Sequence, residues 1–172
     1  PKIERGVLRN GIEVVLAERH EVPVVQMRMI FDAGYAADQG RKLGTASFAM
    51  NMLDEGTRKR DATAIATRME ELGAQIGVYN SLDVSGATLS ALSAQLDGSL
   101  ELFADLVRNP KFDAAEMNRV KGQWLAQIAQ EKTSPNALGM RVLPPLLYGE
   151  GHAYAIPLTG SGTEASIQSL MP

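Results

Sequence analysis

Histidine and cysteine are among the side chains most often used for metal binding and nucleophilic catalysis. The chain has 172 residues and two histidines, His20 and His152, which lie far apart. His20-Glu21 lacks the second histidine that a zinc-binding helix would place four residues on. There is no cysteine, which excludes disulfides, thiol catalysis, iron–sulfur clusters and cysteine-based zinc sites. The sequence therefore predicts no metal or nucleophile site built around either histidine.

The charge balance is slightly acidic, with 17 Lys and Arg against 20 Asp and Glu and a formal net charge of −3. Nucleic-acid binding draws on dense basic patches, and the basic run Arg58-Lys59-Arg60 is typical of a solvated turn. Aromatic residues make up only 5%, too few for a platform that stacks bases. No apolar run approaches the roughly 20 residues that span a membrane. We therefore expect no nucleic-acid partner and no membrane span.

The elements that must position any functional residue begin with strands. Asn10-Gly11 between two apolar runs is a strong signal for a two-residue hairpin. A later run alternates apolar and polar side chains, which is typical of a sheet with one covered face. Gly34 ends that run. These patterns predict strands over residues 6–9, 12–17, 25–31, 74–79 and 84–92.

Helical spacing of apolar residues dominates the rest of the chain. The predicted helices cover residues 44–54, 61–72, 96–107, 113–128 and 134–143, with a further helix start at 163–166. Asp61 and Asp113 are suitable N-caps, and Glu116 after Asp113 predicts a capping box. Pro144-Pro145 should break or end the helix that begins at Ser134, because proline lacks the helical donor. The order of elements predicts an α+β fold, with helices packed on one face of a largely antiparallel sheet.

Two segments carry most of the functional information. They are Asp32-Ala-Gly-Tyr-Ala-Ala-Asp38 and the helix-bearing stretch from Gly44 to Glu55-Gly-Thr57. In order and spacing they resemble the amino-terminal domain of the pitrilysin/insulinase-type metallopeptidases, the inverted-zincin group that includes the mitochondrial processing peptidase. Other segments that fit the resemblance are 8–15, 72–74, 102–107, 109–110, 148–149 and 152–154.

The active members of that family carry H-x-x-E-H on the helix after the Asp-Ala-Gly strand, and a further zinc-binding Glu on a later helix. Histidines at i and i+4 share one helical face and can bind one zinc ion, beside a Glu that serves as general base. The matching positions here are Ser47, Met50, Asn51 and Gln127. A hydroxyl, a thioether and two amides are poor zinc ligands and poor bases. The resemblance thus implies a degenerate site, with no catalytic residue and no metal or cofactor in this domain.

The resemblance also implies a role, because these peptidases are built from paired homologous halves that enclose a chamber. The chain resembles the zinc-free half of a bacterial processing-peptidase-like protease. We expect zinc in a homologous partner half, either in the same chain or in a separate subunit, and a peptide substrate between the halves. Tyr79, Asn80 and Ser81 are the candidate substrate contacts, since the family's strand approaches the chamber there and extended peptides often bind by adding a strand.

Two alternatives stay open. The chain could be a structural subunit without a peptidase partner, as in the respiratory-chain core proteins that resemble this family. It could also be an active metallopeptidase domain with an atypical metal site, for which the nearby carboxylates are Asp54, Glu55, Glu70 and Glu71. We expect residues 1–172 to be a single domain, cut from a longer chain with further homologous domains. The absence of cysteine and the resemblance favour the periplasm or cell envelope, with the cytoplasm as the alternative.

Overall fold

The structure, a computed structural model, describes residues 2–172 and contains five β-strands and six α-helices there. The strands are β1 (Ile3–Val7), β2 (Glu13–Ala17), β3 (Val24–Phe31), β4 (Gln75–Asn80) and β5 (Ser85–Leu92). The helices are α1 (Thr45–Asn51), α2 (Ala62–Leu72), α3 (Leu96–Arg108), α4 (Ala114–Thr133), α5 (Pro135–Tyr148) and α6 (Glu164–Gln168). Short 3-10 turns occupy Tyr35–Asp38 and Ser93–Gln95. The predicted α+β fold class is confirmed.

All strand pairs in the described residues are antiparallel, as predicted. Strands β1 and β2 form a hairpin of their own, which turns at Asn10-Gly11. Gly11 has a φ of +86°, the left-handed region that glycine adopts at little cost. The first strand lies over Ile3–Val7 rather than over the predicted 6–9, so its pairing with β2 extends away from the turn. Strands β3, β5 and β4 form a second sheet in that order.

The three-stranded sheet has one covered face, and helices α2 and α3 cover it. The central strand β5 contributes Ala87, Leu89 and Ala91, each almost fully buried. From the helices, Ile65 and Leu102 pack into the same core. The alternation predicted for β3 is confirmed, since Met27 and Met29 pack against this core while the residues between them are exposed. Burial of this one apolar face stabilises the sheet.

A second core joins helices α1, α4 and α6. Its members are Phe48, Met52, Met117, Val120, Ile128, Ile167 and Leu170. Phe48 and Trp124 meet edge to face, with ring centroids 5.6 Å apart, a geometry that aromatic pairs favour. This core therefore fixes α1 against α4, the two helices that carry the four family-matched positions.

The segment that follows α1 is held by a buried carboxylate on α3. Asp105 is 5% exposed and accepts hydrogen bonds from Thr57 Oγ1 at 2.9 Å, Arg60 Nη1 at 2.8 Å and Asn109 Nδ2 at 3.0 Å. Burial opposes ionisation of this group, but the bonds from Asn109, Thr57 and Arg60 outweigh burial and hold the pKa of Asp105 below its usual range. The carboxylate thereby anchors the Gly56-Thr57 segment to α3.

The prediction that Pro144-Pro145 ends its helix is wrong, because α5 continues through both prolines to Tyr148. A proline at 144 leaves the carbonyl of Met140 without its helical donor. The N–H of Leu158 takes that place and donates to Met140 O at 2.9 Å. The carbonyl is satisfied by the loop after the helix, so the helix does not need to end.

Helix capping follows the predictions in part. Asp61 accepts from Ala64 N at 2.8 Å and Asp113 accepts from Ala115 N at 2.9 Å, as N-caps do. The predicted capping box at Glu116 does not form, since this side chain accepts from Arg119 Nε at 2.7 Å instead. Within residues 2–172, no helix has the length and apolar character needed to cross a membrane.

Candidate functional site

Helix α1 carries three of the four family-matched positions, and a buried carboxylate fixes where it begins. Gly44 precedes the helix with a φ of +86° and offers no side chain as a cap. Asp38 supplies the cap from the preceding turn, accepting from Ala46 N at 3.1 Å. Burial raises the pKa of Asp38, although hydrogen bonds from the backbone of Ala46, Gly44 and Thr45 oppose the rise. The last residue of the Asp32–Asp38 segment therefore sets the start of α1.

The four matched positions face different surroundings. Ser47 and Met50 are half-buried on α1, whereas Asn51 at its end is exposed. Gln127 is exposed on α4 and donates through Nε2 to Glu131 Oε1 at 3.2 Å on the same helix. The contact of Phe48 with Trp124 brings the two helices together beside these positions.

Ser47 is joined to the sheet through Asn80, one of the three candidate substrate residues. Asn80 Nδ2 donates to Ser47 Oγ at 3.0 Å, and Asn80 Oδ1 accepts from Ser85 Oγ at 2.9 Å. Ser85 Oγ also contacts the carbonyl of Ala33. At Ser47, a neutral hydrogen-bond chain thus joins α1 to the ends of β4 and β5.

The other two candidate substrate residues point elsewhere. Tyr79 lies over Gly86 on the open face of the sheet, where any Cβ at Gly86 would overlap the Tyr79 ring. Arg28 stacks over the same ring, with its guanidinium carbon 5.5 Å from the centroid, within the range of a cation–π contact. Ser81 closes the β4–β5 turn by donating from Oγ to Val84 O at 2.8 Å. The structure therefore brings only Asn80 of the three into contact with a matched position.

The carboxylates considered for an atypical metal site are engaged elsewhere or isolated. Glu55 pairs with Arg119, and Glu71 pairs with Arg68 at 2.8 Å. Burial raises the pKa of Asp54, which disfavours its charged form. Among residues 2–172, no three His, Cys, Asp or Glu side chains come close enough together to hold a metal ion.

A buried ion pair that the sequence did not predict holds the glycine-rich loop after α5, residues 149–162, against α4 and α5. The side chains of Glu131 and Arg141 are 11% and 8% exposed, and Arg141 Nη1 lies 2.7 Å from Glu131 Oε2. Ser161 Oγ donates to the same oxygen at 2.6 Å, and Arg141 Nη2 donates to Gly162 O at 2.6 Å. Despite its burial, these bonds from Ser161 and Arg141 keep the pKa of Glu131 below its usual range.

The loop in turn supports α1. Trp124 Nε1 donates to Ser161 O at 2.9 Å, and a side chain at Gly160 would collide with Tyr35 and with Ser47 Oγ. Helix α1 is therefore held from three directions, by Asp38, by α4 and by the loop. These contacts fix the position of α1, on which Ser47, Met50 and Asn51 lie.

Comparison with known proteins identifies the family of this chain. Residues 13–153 match the family described as Insulinase (Peptidase family M16). The chain belongs to this family. Rat mitochondrial-processing peptidase subunit beta is 27% identical over 134 residues, which cover 78% of this chain and 27% of the relative. The protein described as non-peptidase homolog YmxG from Helicobacter pylori is 26% identical over 161 residues, 92% of this chain and 36% of the relative.

A solved structure agrees with the M16 assignment. The structure described as a peptidase M16 inactive domain from Pseudomonas fluorescens superposes with a TM-score of 0.93 and 34% identity, covering 99% of this chain and 41% of that one. The chain thus spans between about a quarter and two fifths of the length of these M16 relatives. It is an M16 domain whose similar proteins include one described as inactive and one described as a non-peptidase.

The donor set at the matched positions does not fit the zinc ion that the sequence resemblance implies for active members. Zinc sites in proteins are built from imidazole, thiolate and carboxylate groups. Ser47 and Asn51 offer neutral oxygens, and Ser47 Oγ already accepts a hydrogen bond from Asn80. Met50 has no basic atom with which to activate water. No chemical step through a metal is therefore assigned to this domain.

Proposed function

We propose that this chain is a catalytically silent domain of an M16 zinc peptidase, which helps to form the peptide-binding chamber with a zinc-bearing partner half. One observation carries the proposal. Helix α1 is held by Asp38, by α4 and by the loop after α5, and Ser47, Met50, Asn51 and Gln127 stand at the positions that the resemblance matches to the zinc ligands and the general base. A scaffold maintained without its ligands suits a half that binds and encloses peptide while its partner performs hydrolysis.

Asn80 supports the binding part of the proposal. It lies at the end of β4, and within residues 2–172 β4 pairs with one strand only, β5. An extended peptide could add to the other edge of β4 through backbone hydrogen bonds. The bond from Asn80 to Ser47 would then fix the end of that strand against α1.

The proposal is tested with the full-length protein together with the homologue that carries H-x-x-E-H. We expect the pair to cleave a quenched fluorescent peptide, to bind zinc through the partner, and to lose cleavage when this chain is omitted. Gln127→Ala in this chain should leave the zinc content unchanged, because Gln127 is not a ligand. Stoichiometric zinc on this chain alone, lost in Gln127→Ala, would show instead an active domain with an atypical metal site.

A second candidate function is a structural subunit without peptidase activity. The similarity to a protein described as a non-peptidase homolog favours it. The two candidates differ in the partner, since the structural role requires no H-x-x-E-H protein. Purification of the full-length protein with its natural partner, followed by zinc analysis of the complex, separates them.

We also infer a periplasmic or cell-envelope location. The absence of cysteine suits an oxidising compartment. Fractionation of cells that produce the tagged full-length protein tests this inference. Recovery with the cytoplasmic fraction would contradict it.

A further inference from the structure

The turn of the β1–β2 hairpin holds an asparagine followed by a glycine, a pair that the proposed function does not use. Asn10 and Gly11 are both exposed. Gly11 N donates to Leu8 O at 2.9 Å, and Leu8 N donates to Ile12 O at 2.8 Å, so the backbone reverses direction here. A Cβ at Gly11 would meet no atom of another segment within 4 Å. The space beside this glycine is therefore open.

The side chain of Asn10 is folded along the chain towards its C-terminal side. Its Oδ1 accepts from Ile12 N at 3.3 Å, a local bond of the kind that asparagine side chains form with the backbone two residues on. This conformation places the side-chain amide beside the peptide bond that joins Asn10 to Gly11. The two atoms that would close a five-membered ring, Asn10 Cγ and Gly11 N, are therefore neighbours.

The hairpin that carries this turn has little support from the rest of the domain. Every residue of β1 and β2 is exposed, and within residues 2–172 the two strands form a sheet of their own. An isolated two-stranded hairpin is only marginally stable in water, and weakly packed segments open with a small free-energy change. Such opening releases the N–H of Gly11 from Leu8 O and lets the backbone rotate at Asn10. The turn is therefore accessible to a reaction that the closed hairpin restrains.

Other asparagines of the chain are placed less favourably for such a ring. Asn109 precedes a proline, which has no N–H to lose. Asn118 and Asn136 lie within helices α4 and α5, whose backbone would have to unwind before a ring could close. Asn80 holds both ends of its side-chain amide in hydrogen bonds. A following glycine, exposure and weak packing therefore coincide at Asn10.

We propose that Asn10 is a site of deamidation, at which the side-chain amide is lost through a succinimide. The nitrogen of Gly11 gives up its proton to hydroxide and attacks Asn10 Cγ. A bond forms between these two atoms, the bond from Cγ to Nδ2 breaks, and ammonia leaves with a proton from water. Water then opens the ring at either carbonyl carbon and produces aspartate or isoaspartate. One water is taken up and one ammonia is released, with no oxidation or reduction.

The two products differ in their effect on the hairpin. Both add a carboxylate next to Arg9. Aspartate keeps the backbone unchanged, so the pairing of β1 with β2 is retained. Isoaspartate runs the backbone through Cβ and Cγ and lengthens it by one atom, which disturbs the bond between Leu8 N and Ile12 O. Since the turn fixes the register of a hairpin, the isoaspartate form loosens this pairing, whatever the role of the chain in a peptidase.

The test incubates the full-length protein near neutral pH and at mildly alkaline pH, and follows each asparagine by peptide mapping with mass spectrometry. A capped peptide of residues 7–13 gives the rate without the hairpin. We expect Asn10 in the protein to lose its amide within about tenfold of the peptide's rate, which corresponds to an opening free energy of at most about 1.4 kcal/mol. The rate should rise with pH, and isoaspartate should be the larger product.

Asn51 is the internal control, because it is exposed as well but ends α1 and precedes the buried Met52. It should keep its amide while Asn10 loses most of its own.

Asn10→Gln is the matched variant, because glutamine would have to form a six-membered ring. The variant should lack the acidic shift that the parent develops in isoelectric focusing. The proposal is overturned if Asn10 loses its amide no faster than Asn51, or more than about tenfold more slowly than the peptide. An acidic shift that persists undiminished in Asn10→Gln would overturn it as well.

Discussion

Asn80 Nδ2 donates a hydrogen bond to Ser47 Oγ at 3.0 Å, and this contact joins the end of β4 to helix α1. A histidine at 47 that bound zinc through one ring nitrogen would carry N–H on the other, so it could not accept from Asn80 Nδ2 as Ser47 Oγ does. The bond gives α1 and β4 a direct link at the position that the resemblance matches to a metal ligand.

Restoring the four family groups should restore metal binding. The variant with Ser47→His, Met50→Glu, Asn51→His and Gln127→Glu is expected to bind about one equivalent of zinc, because α1 and α4 already lie together. Metal analysis after dialysis measures this. Peptide cleavage by the variant alone should stay very low, since the proposed chamber requires a second half.

The control for this rescue is the same variant with Gln127 retained, which should bind zinc more weakly with one ligand fewer. Robust peptide cleavage by the four-residue variant alone would count against the paired-half function. Failure to bind zinc in a folded variant would show that the scaffold no longer places these positions around one ion.

The cap supplied by Asp38 should matter for stability through its oxygen rather than its charge. Asp38→Ala is expected to lower the free energy of unfolding by about 1–2 kcal/mol, as the loss of an N-cap does. Asp38→Asn keeps an acceptor for Ala46 N and removes a carboxyl whose pKa burial raises, so its loss should be smaller. Urea unfolding at pH 7 measures both, and equal losses would contradict the capping role.

Asp105 should make stability depend on acid pH. Its pKa is lowered in the folded protein, whereas an unfolded Asp titrates near pH 3.9. Its ionisation therefore stabilises the fold above about pH 4, and this contribution is lost as pH falls through the lowered folded pKa.

Asp105→Asn tests this, because it removes the charge and keeps the shape. The variant should be less stable than the parent by about 1–3 kcal/mol at pH 7, and the difference should shrink towards pH 3 in urea unfolding. Asp97→Asn, an exposed position on the same helix, is the control and should show a much smaller effect. A difference that grows on acidification would contradict the assignment.

The ion pair of Glu131 and Arg141 should behave as a buried pair. Arg141→Leu leaves Glu131 buried without its cation and is expected to lower stability by about 3–5 kcal/mol. Replacing both residues with leucine should destabilise less than the sum of the single changes, because no unpaired charge remains. Thermal unfolding of the four proteins gives the coupling, and purely additive losses would show that the pair is not an energetic unit.

Local patterns in the sequence predicted most elements, because their signals lie within one turn or one strand. Asn10-Gly11 predicted the hairpin, and Asp61 and Asp113 predicted the starts of α2 and α4. The prolines at 144 and 145 led to a wrong prediction, since one of the two carbonyls that they leave without a helical donor, that of Met140, accepts from Leu158 N, a partner that no local pattern indicates. The cluster of Glu131, Arg141 and Ser161 was not predicted, for the same reason. The matched positions were found through the order of family motifs, and the bond between Asn80 and Ser47 required the fold.

The carbonyl of Met140, which has no helical donor, also determines where the loop after α5 packs against the helix. Proline at 144 removes the helical donor for Met140 O, and proline at 145 removes the helical donor for Arg141 O. Leu158 N donates to Met140 O at 2.9 Å, which ties the following loop to one height along the helix axis. Insertion or deletion of one residue between 149 and 157 would move Leu158 N away from Met140 O. It would also displace Gly160 and Ser161 from their positions against α1 and Trp124. A helix that lacks a backbone hydrogen bond can therefore constrain the length of the loop that follows it.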